Sequence, residues 1–212
     1  MSELSNEAIK EAASASVSEG NDIRSRVYSL TLNALKQRKL ESAEVREVVK
    51  SLTEGISIGA EKRAADSKQA LGEAFAGLDD AMKKSAEAFH LALEQLTASG
   101  KEFNDGDLKI ALDNLKQTEE AFMSTVQHVS ESAGERIRAE WRDLLTHARH
   151  TGTDTGRQVA STLGAFSNHA RSVTHDAQTN GLSAAREFGA RLTLAASGIL
   201  AGIADALHEP KK

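Results

Sequence analysis

"SAEVREVVKSLTEGISIGAEKRAADSKQALGEAFAGLDDAMKKSAEAFHLALEQLTAS", residues 42–99, decides the fold. An apolar row runs through it at Val45, Val49, Leu52, Ile56 and Ala60, then at Leu71, Ala74, Leu78, Met82, Ser85, Phe89, Ala92 and Leu96. Steps of three and four average near 3.6, the period of a straight or slightly right-wound α-helix rather than of a strict heptad. A polar patch around Arg63 and Ser67 interrupts the row without shifting its phase. Gly77 leaves the period undisturbed and is the weaker candidate for a break. Unbroken, this helix would extend roughly 87 Å at about 1.5 Å per residue.

The same rule reads outward in both directions. In "NDIRSRVYSLTLNALKQRK" (21–39) Ile23, Val27, Leu30 and Ala34 share one helical face, with Asn21 or Asp22 placed to cap it after Gly20. "GKEFNDGD" (100–107) is the clearest loop, with Gly100 as a stop and Asp105 as the next N-cap. A third row follows through Leu108, Leu112, Leu115, Phe122, Val126, Val129, Ala133, Ile137, Trp141, Leu144 and Ala148. "TGTDTG" (151–156) is the next expected break. The last row is Val159, Leu163, Phe166, Ala170, Val173, Ala177, Ala184, Phe188, Leu192, Ala195, Ile199 and Ala206.

The expectation is an all-α protein without a sheet: an elongated antiparallel bundle of about three long amphipathic helices plus one or two short N-terminal ones. Helices are expected near 22–39, 42–99, 106–150 and 154–208, in a single domain over 21–208. Residues 1–20 read as a short or frayed helix and 209–212 as a tail. The first twenty residues have neither a basic nor an apolar stretch, so no signal peptide is expected there.

Composition agrees with helices. The chain has 34 alanines, a single proline at position 210 and no cysteine. Alanine favours helices most and proline breaks them, so the lone proline lies outside every periodic segment. Without cysteine there are no disulfides and no thiolate metal sites, which fits a reducing compartment and a cytoplasmic location. Alanine-rich faces bury little apolar area, so a seam of them stabilises less per residue than a leucine-rich one. Such a bundle invites completion by a partner, by self-association or by a surface.

The net charge of −5 argues against nucleic acid as a partner. Residues 1–134 carry 16 basic and 23 acidic side chains, residues 135–212 ten and eight, so the distal part is the mildly basic one. Sites for chemistry are scarce. "GTDTG" lacks the lysine and strand of a phosphate loop, and "GISIG" has no strand to make a serine nucleophile elbow. Glu87 and His90 have the i, i+3 spacing of di-iron helices, but Asp205 and His208 are only an imperfect second copy. Asp143, His147 and His150 follow one another by about one turn, a pattern open to a divalent ion and equally to solvated positions. No catalytic, cofactor or metal residues are assigned, and an enzyme is the least supported class.

Repetitive alanine-rich amphipathic helices, glycines at their breaks, no cysteine and almost no proline over residues 20–208 make the chain resemble the bacterial phasins. It is similar in style to exchangeable apolipoproteins as well. The resemblance implies a non-catalytic protein whose helices bind a hydrophobic storage granule or lipid surface, with granule association in the cell. The alternatives are a self-associating structural or scaffolding bundle without lipid contact, or an adaptor or chaperone for a protein partner.

One segment focuses that choice. "LTLAASGILAGIA", Leu192 to Ala204, is uncharged on every side and ends at Arg191 and Asp205. As a helix it extends only about 20 Å, too short for a hydrocarbon core of roughly 30 Å, so no transmembrane span is expected. Gly198 and Gly202, one turn apart, let another backbone approach closely. Leu192, Leu194, Gly198, Ile199, Gly202 and Ile203 are the candidate contact residues. Two readings stay open: burial within the bundle, or a contact for a second subunit or an apolar surface.

Overall fold

The computed structural model describes residues 4–38, 40–98, 105–171 and 181–206. Within them the protein is all-α, a bundle of eight α-helices and one short 3₁₀ turn with no strand. The helices are α1 (Asn6–Ser18), α2 (Ile23–Lys36), α3 (Ser42–Glu61), α4 (Ser67–Ala98), α5 (Asp105–Ser130), α6 (Glu135–Thr151), α7 (Asp154–Arg171) and α8 (Gly181–Ala206). The tail 209–212, His208 and most of the 100–107 loop lie outside the described residues.

From α1 to α6 consecutive helices reverse direction, so alternate helices among them run parallel, whereas α7 continues the direction of α6 along α4. The closest seams are the parallel ones. Along α1 and α3, Asn6 meets Glu47, the backbone at Lys10 meets Gly55, the backbone at Ser14 meets Gly59, and Arg63 reaches the Val17 carbonyl. Added Cβ atoms on Gly55 and Gly59 would stand 2.2 Å from the Lys10 carbonyl oxygen and 2.6 Å from that of Ser14. Only glycine permits this approach. "GISIG" is therefore a helix-packing device. Gly77 plays the same part in α4, where a Cβ would fall 2.2 Å from the Arg24 carbonyl oxygen of α2. It is a contact and not a break.

The apolar rows become the core. Val45, Val49, Leu52, Ile56, Ala60, Leu71, Ala74, Leu78 and Met82 are all buried in the larger cluster, with Phe122, Val126, Ile137 and Trp141. Burying a side chain of that size stabilises by about 1.5–3 kcal/mol before the entropy of ordering it. Trp141 is fully buried, its Nε1–H donates to Ser57 Oγ at 2.9 Å, and its ring meets Phe75 edge-on. A second cluster gathers Phe89, Ala92, Leu93, Leu108, Leu112, Leu115, Val159, Phe166, Leu192 and Ala196. No boundary falls at residue 20: Ile9, Ala13 and Val17 of α1 are fully buried in the larger cluster, and Ser5 caps the helix.

Three expected boundaries are corrected. The helix over 42–99 is two helices, with a 3₁₀ turn at Ala64–Asp66 and a positive φ of 38° at Ala64. The helix over 106–150 stops at Ser130 and restarts at Glu135. The last helix is α7 and α8. Long-range polar contacts hold the first two turns at one end of the bundle. Arg63 donates to the Val17 and Gly20 carbonyls, Arg136 to those of Glu61 and Ala64, and Gly134 N–H to Glu61 Oε1 at 2.9 Å. Three alternate turns, near residues 20, 64 and 133, are thus tied together.

α6 and α7 follow one another down the side of α4. They part at Gly152 (φ +78°) and Thr153, inside the expected "TGTDTG" break. α8 crosses the assembly, from the α5–α7 side where Leu192 packs to α2, where Asp205 meets Lys36 at 2.7 Å.

Candidate binding surfaces on and beneath helix α8

α8 is a helix without charge from Leu192 to Ala204, yet only one side of it is covered. Leu192, Ala196, Leu200 and Ala204 are buried, a stripe one turn apart that joins both apolar clusters. Ala195 and Ile199 flank the stripe and pack partly against it. The opposite side is open: Leu194 is 65% exposed, and nothing stands within 4 Å of a Cβ placed on Gly198 or Gly202. Of the six expected contact residues, Leu192 is therefore internal, Ile199 and Ile203 are half-buried, and Leu194, Gly198 and Gly202 form the free face. The buried stripe also sits one residue away from the expected row through Ala195 and Ile199. This stretch has no charged residue to fix its face, and its two polar ones, Thr193 and Ser197, are both half-buried, so the pattern alone left that rotation open.

Beneath α8 lies a feature that no local motif announced. A cavity of about 330 Å³ opens between the N-terminus of α3, the middle of α4, α5, the start of α7 and α8. Its floor is apolar: Val45, Met82, Phe89, Leu115, Val159 and Leu192, all buried. Its mouth is polar and wetter, with Glu41, Ser42, Asn114, Thr118, Glu119 and Thr193. Ser42 Oγ and Thr118 Oγ1 stand 3.2 Å apart across it. Partial burial raises the pKa of Glu119 above the ordinary carboxylate value, and the neighbouring charges of Glu120 and Asp79 add to the effect. These residues come from five separate helices, so spacing within any one of them carries no signal.

Asp79 anchors the wall beside Glu119. Its carboxylate accepts the Asp154 N–H at 2.8 Å and the Thr155 N–H at 3.1 Å, and the Thr155 hydroxyl lies 2.6 Å from it. Thr153 Oγ1 takes the Gly156 N–H at 2.9 Å. Together they satisfy the first free N–H groups of α7, one locally and two from across the bundle.

Among the described residues the histidines do not assemble. His90 Nδ1 is 3.2 Å from Thr162 Oγ1, its Nε2 is 3.3 Å from Glu94, and its ring packs edge-on to Phe166. Glu87 is engaged by Lys84 at 2.6 Å. Asp143, His147 and His150 are exposed on α6. Among the described residues no group of three His, Cys, Asp or Glu side chains is arranged to hold a metal ion, and no helix is long and apolar enough to cross a membrane.

A family model matches residues 1–209, nearly the whole chain. The protein belongs to DUF6781, a family of unknown function. Neither the curated proteins nor the solved structures contain a match to it. Membership in DUF6781 spans α1 to α8, so the free face of α8 and the cavity beneath it both fall within the matched region.

Proposed function

We propose that this protein is a non-catalytic, phasin-like bundle that attaches to a hydrophobic granule or lipid surface through the outer face of α8. One observation carries the reading: a helix uncharged on all sides is buried on one side only. A helix without charge is ordinarily covered all round, whereas a surface helix ordinarily turns charge outward. α8 does neither between residues 192 and 204. Leu91 on α4 and Ile110 on α5, each about 42% exposed, are two further large apolar side chains turned outward on helices of the second cluster. An apolar interface would cover such groups at a gain of about 25 cal/mol per Å².

The test is co-sedimentation with polyhydroxybutyrate particles and with neutral phosphatidylcholine vesicles. The wild-type chain is expected in the pellet, and Leu194→Asp combined with Gly198→Asp in the supernatant with an unchanged melting temperature. A wild-type chain that stays in the supernatant with both, or a variant that pellets as well as wild type, overturns the proposal. The same face supports a second reading. Gly198 and Gly202 leave room for another backbone, so α8 could pair with its counterpart in a second copy. Sedimentation equilibrium separates the two: a dimer lost in the double variant, without pelleting, selects self-association.

A further inference from the structure

We propose that the cavity beneath α8 is a binding site for an organic cation with an apolar body, of the long-chain alkylammonium type. Its volume of about 330 Å³ lies at the lower end of the range for small-molecule pockets. The buried floor of Val45, Met82, Phe89 and Leu115 suits a hydrocarbon chain and offers it no hydrogen-bonding group. The two buried hydroxyls of the lining, Ser85 and Thr155, already donate to the Ala81 carbonyl and to Asp79, so the polar groups left for an occupant are at the mouth and favour one orientation: chain inward, head outward.

The charge of the head follows from the lining. Among the described residues no lysine, arginine or histidine lines the cavity, and the ionisable groups that do are the carboxylates of Glu41 and Glu119. Lys116, the cation nearest Glu119 along α5, is drawn instead towards Glu120 at 3.7 Å. A fatty-acid carboxylate placed here would face these two like charges, while Lys116, the cation that acts on Glu119, is 61% exposed and engaged with Glu120. An ammonium head has three N–H donors and no acceptor, and the mouth offers matching acceptors in the Glu119 carboxylate, the Thr118 hydroxyl and the Asn114 amide oxygen. The half-buried Glu119 is costly as a lone anion, and an ammonium beside it removes that cost. This site uses the inward side of α8 and is independent of the outer face invoked above.

The experiment is isothermal titration of the full chain at pH 7 with decylammonium, decanol and decanoate, each below its micelle-forming concentration. Decylammonium is expected to saturate at one site per chain and to bind at least tenfold more tightly than decanoate, with decanol between them. Glu119→Gln should weaken decylammonium about tenfold while leaving decanol unchanged. Ala86→Leu, which projects bulk from α4 into the floor, should abolish binding of all three. Absence of a saturable site for decylammonium, decanoate or decanol binding as tightly as the amine, or indifference of the amine to Glu119→Gln overturns the proposal. If Ala86→Leu does not fold, the ligand order and Glu119→Gln still decide it.

Discussion

Asp79 of α4 closes the N-terminus of α7: its carboxylate is 2.6 Å from the Thr155 hydroxyl and accepts the Asp154 and Thr155 backbone N–H groups, 75 and 76 positions along the chain. A capping residue usually belongs to the helix that it caps. Here the cap is a tertiary contact, and it fixes where α7 begins against α4. Thr155 is 2% exposed and Asp79 9%, so water cannot replace the lost partner easily. Asp79→Ala should cost about 1–3 kcal/mol, from the lost cap and the N–H groups left unsatisfied. Urea unfolding followed by the fluorescence of the buried Trp141 measures it. Thr153→Ala, which removes only the local cap, should cost less, about 1 kcal/mol.

The glycine pairs give a contrast within one protein. Gly55→Ala places a Cβ 2.2 Å from the Lys10 carbonyl oxygen and must push α1 away from α3. A loss of at least about 1–3 kcal/mol is expected, as for other overpacked seams. Gly198→Ala and Gly202→Ala meet nothing within 4 Å. There alanine's helix preference acts alone, and each change should stabilise by about 0.5–1 kcal/mol. Thermal unfolding of the four single variants Gly55→Ala, Gly59→Ala, Gly198→Ala and Gly202→Ala checks the sign at each site. A fall in melting temperature for either α8 variant would show that this face is covered.

That contrast marks what the sequence made legible. "GISIG" and "SGILAG" share the same small-residue spacing, and nothing local says that the first meets another helix and the second does not. The apolar rows were readable because burial of Val45, Leu52, Ile56, Leu78 and Phe89 is a one-helix property with a fixed period. The turn at Ala64–Asp66 was not, since its length returns the next helix to the same phase, and it is held by distant partners, Val17 through Arg63 and Arg136 directly. The α8 face was half-legible. Its lack of charge marked it as unusual, while its rotation depended on neighbours in α2, α4 and α5. The cavity depends on five helices meeting and had no trace in any single one.

Glu119 gives the pH prediction. Its folded pKa is raised above the ordinary value of 4.5, chiefly by burial, so the folded chain holds this proton more tightly than the unfolded chain does. Between those two pKa values the folded state binds more protons, and stability falls as pH rises through the window above about 4.5. Well below 4.5 the group is neutral in both states and has no such effect. Glu119→Gln keeps the neutral shape at every pH. The variant should match wild type near pH 3.5 and exceed it in melting temperature at pH 7. An equal difference at both pH values would show that the carboxylate's charge is not the cause.

Two leucines of α8, Leu200 and Leu194, test whether the helix is docked as described. Leu200 is fully buried between Ala196 and Ala204 in the inner stripe, whereas Leu194 is 65% exposed on the outer one. Truncating a buried leucine removes its transfer free energy and leaves a cavity, so Leu200→Ala should cost about 2–5 kcal/mol. Leu194→Ala removes a side chain that is already in water and should change stability by less than about 0.5 kcal/mol. The Lys36–Asp205 pair that anchors the far end of α8 has an Asp205 side chain 71% exposed, and its removal by Lys36→Ala should cost no more than about 1 kcal/mol. The inner apolar stripe therefore holds α8 in place, and the terminal ion pair adds little. Chemical denaturation should place Leu200→Ala far ahead of both Lys36→Ala and Leu194→Ala, with Leu194→Ala the mildest. If Leu200→Ala and Leu194→Ala were equally mild, α8 would not be packed on the bundle in solution, and the distinction between its two faces would fall.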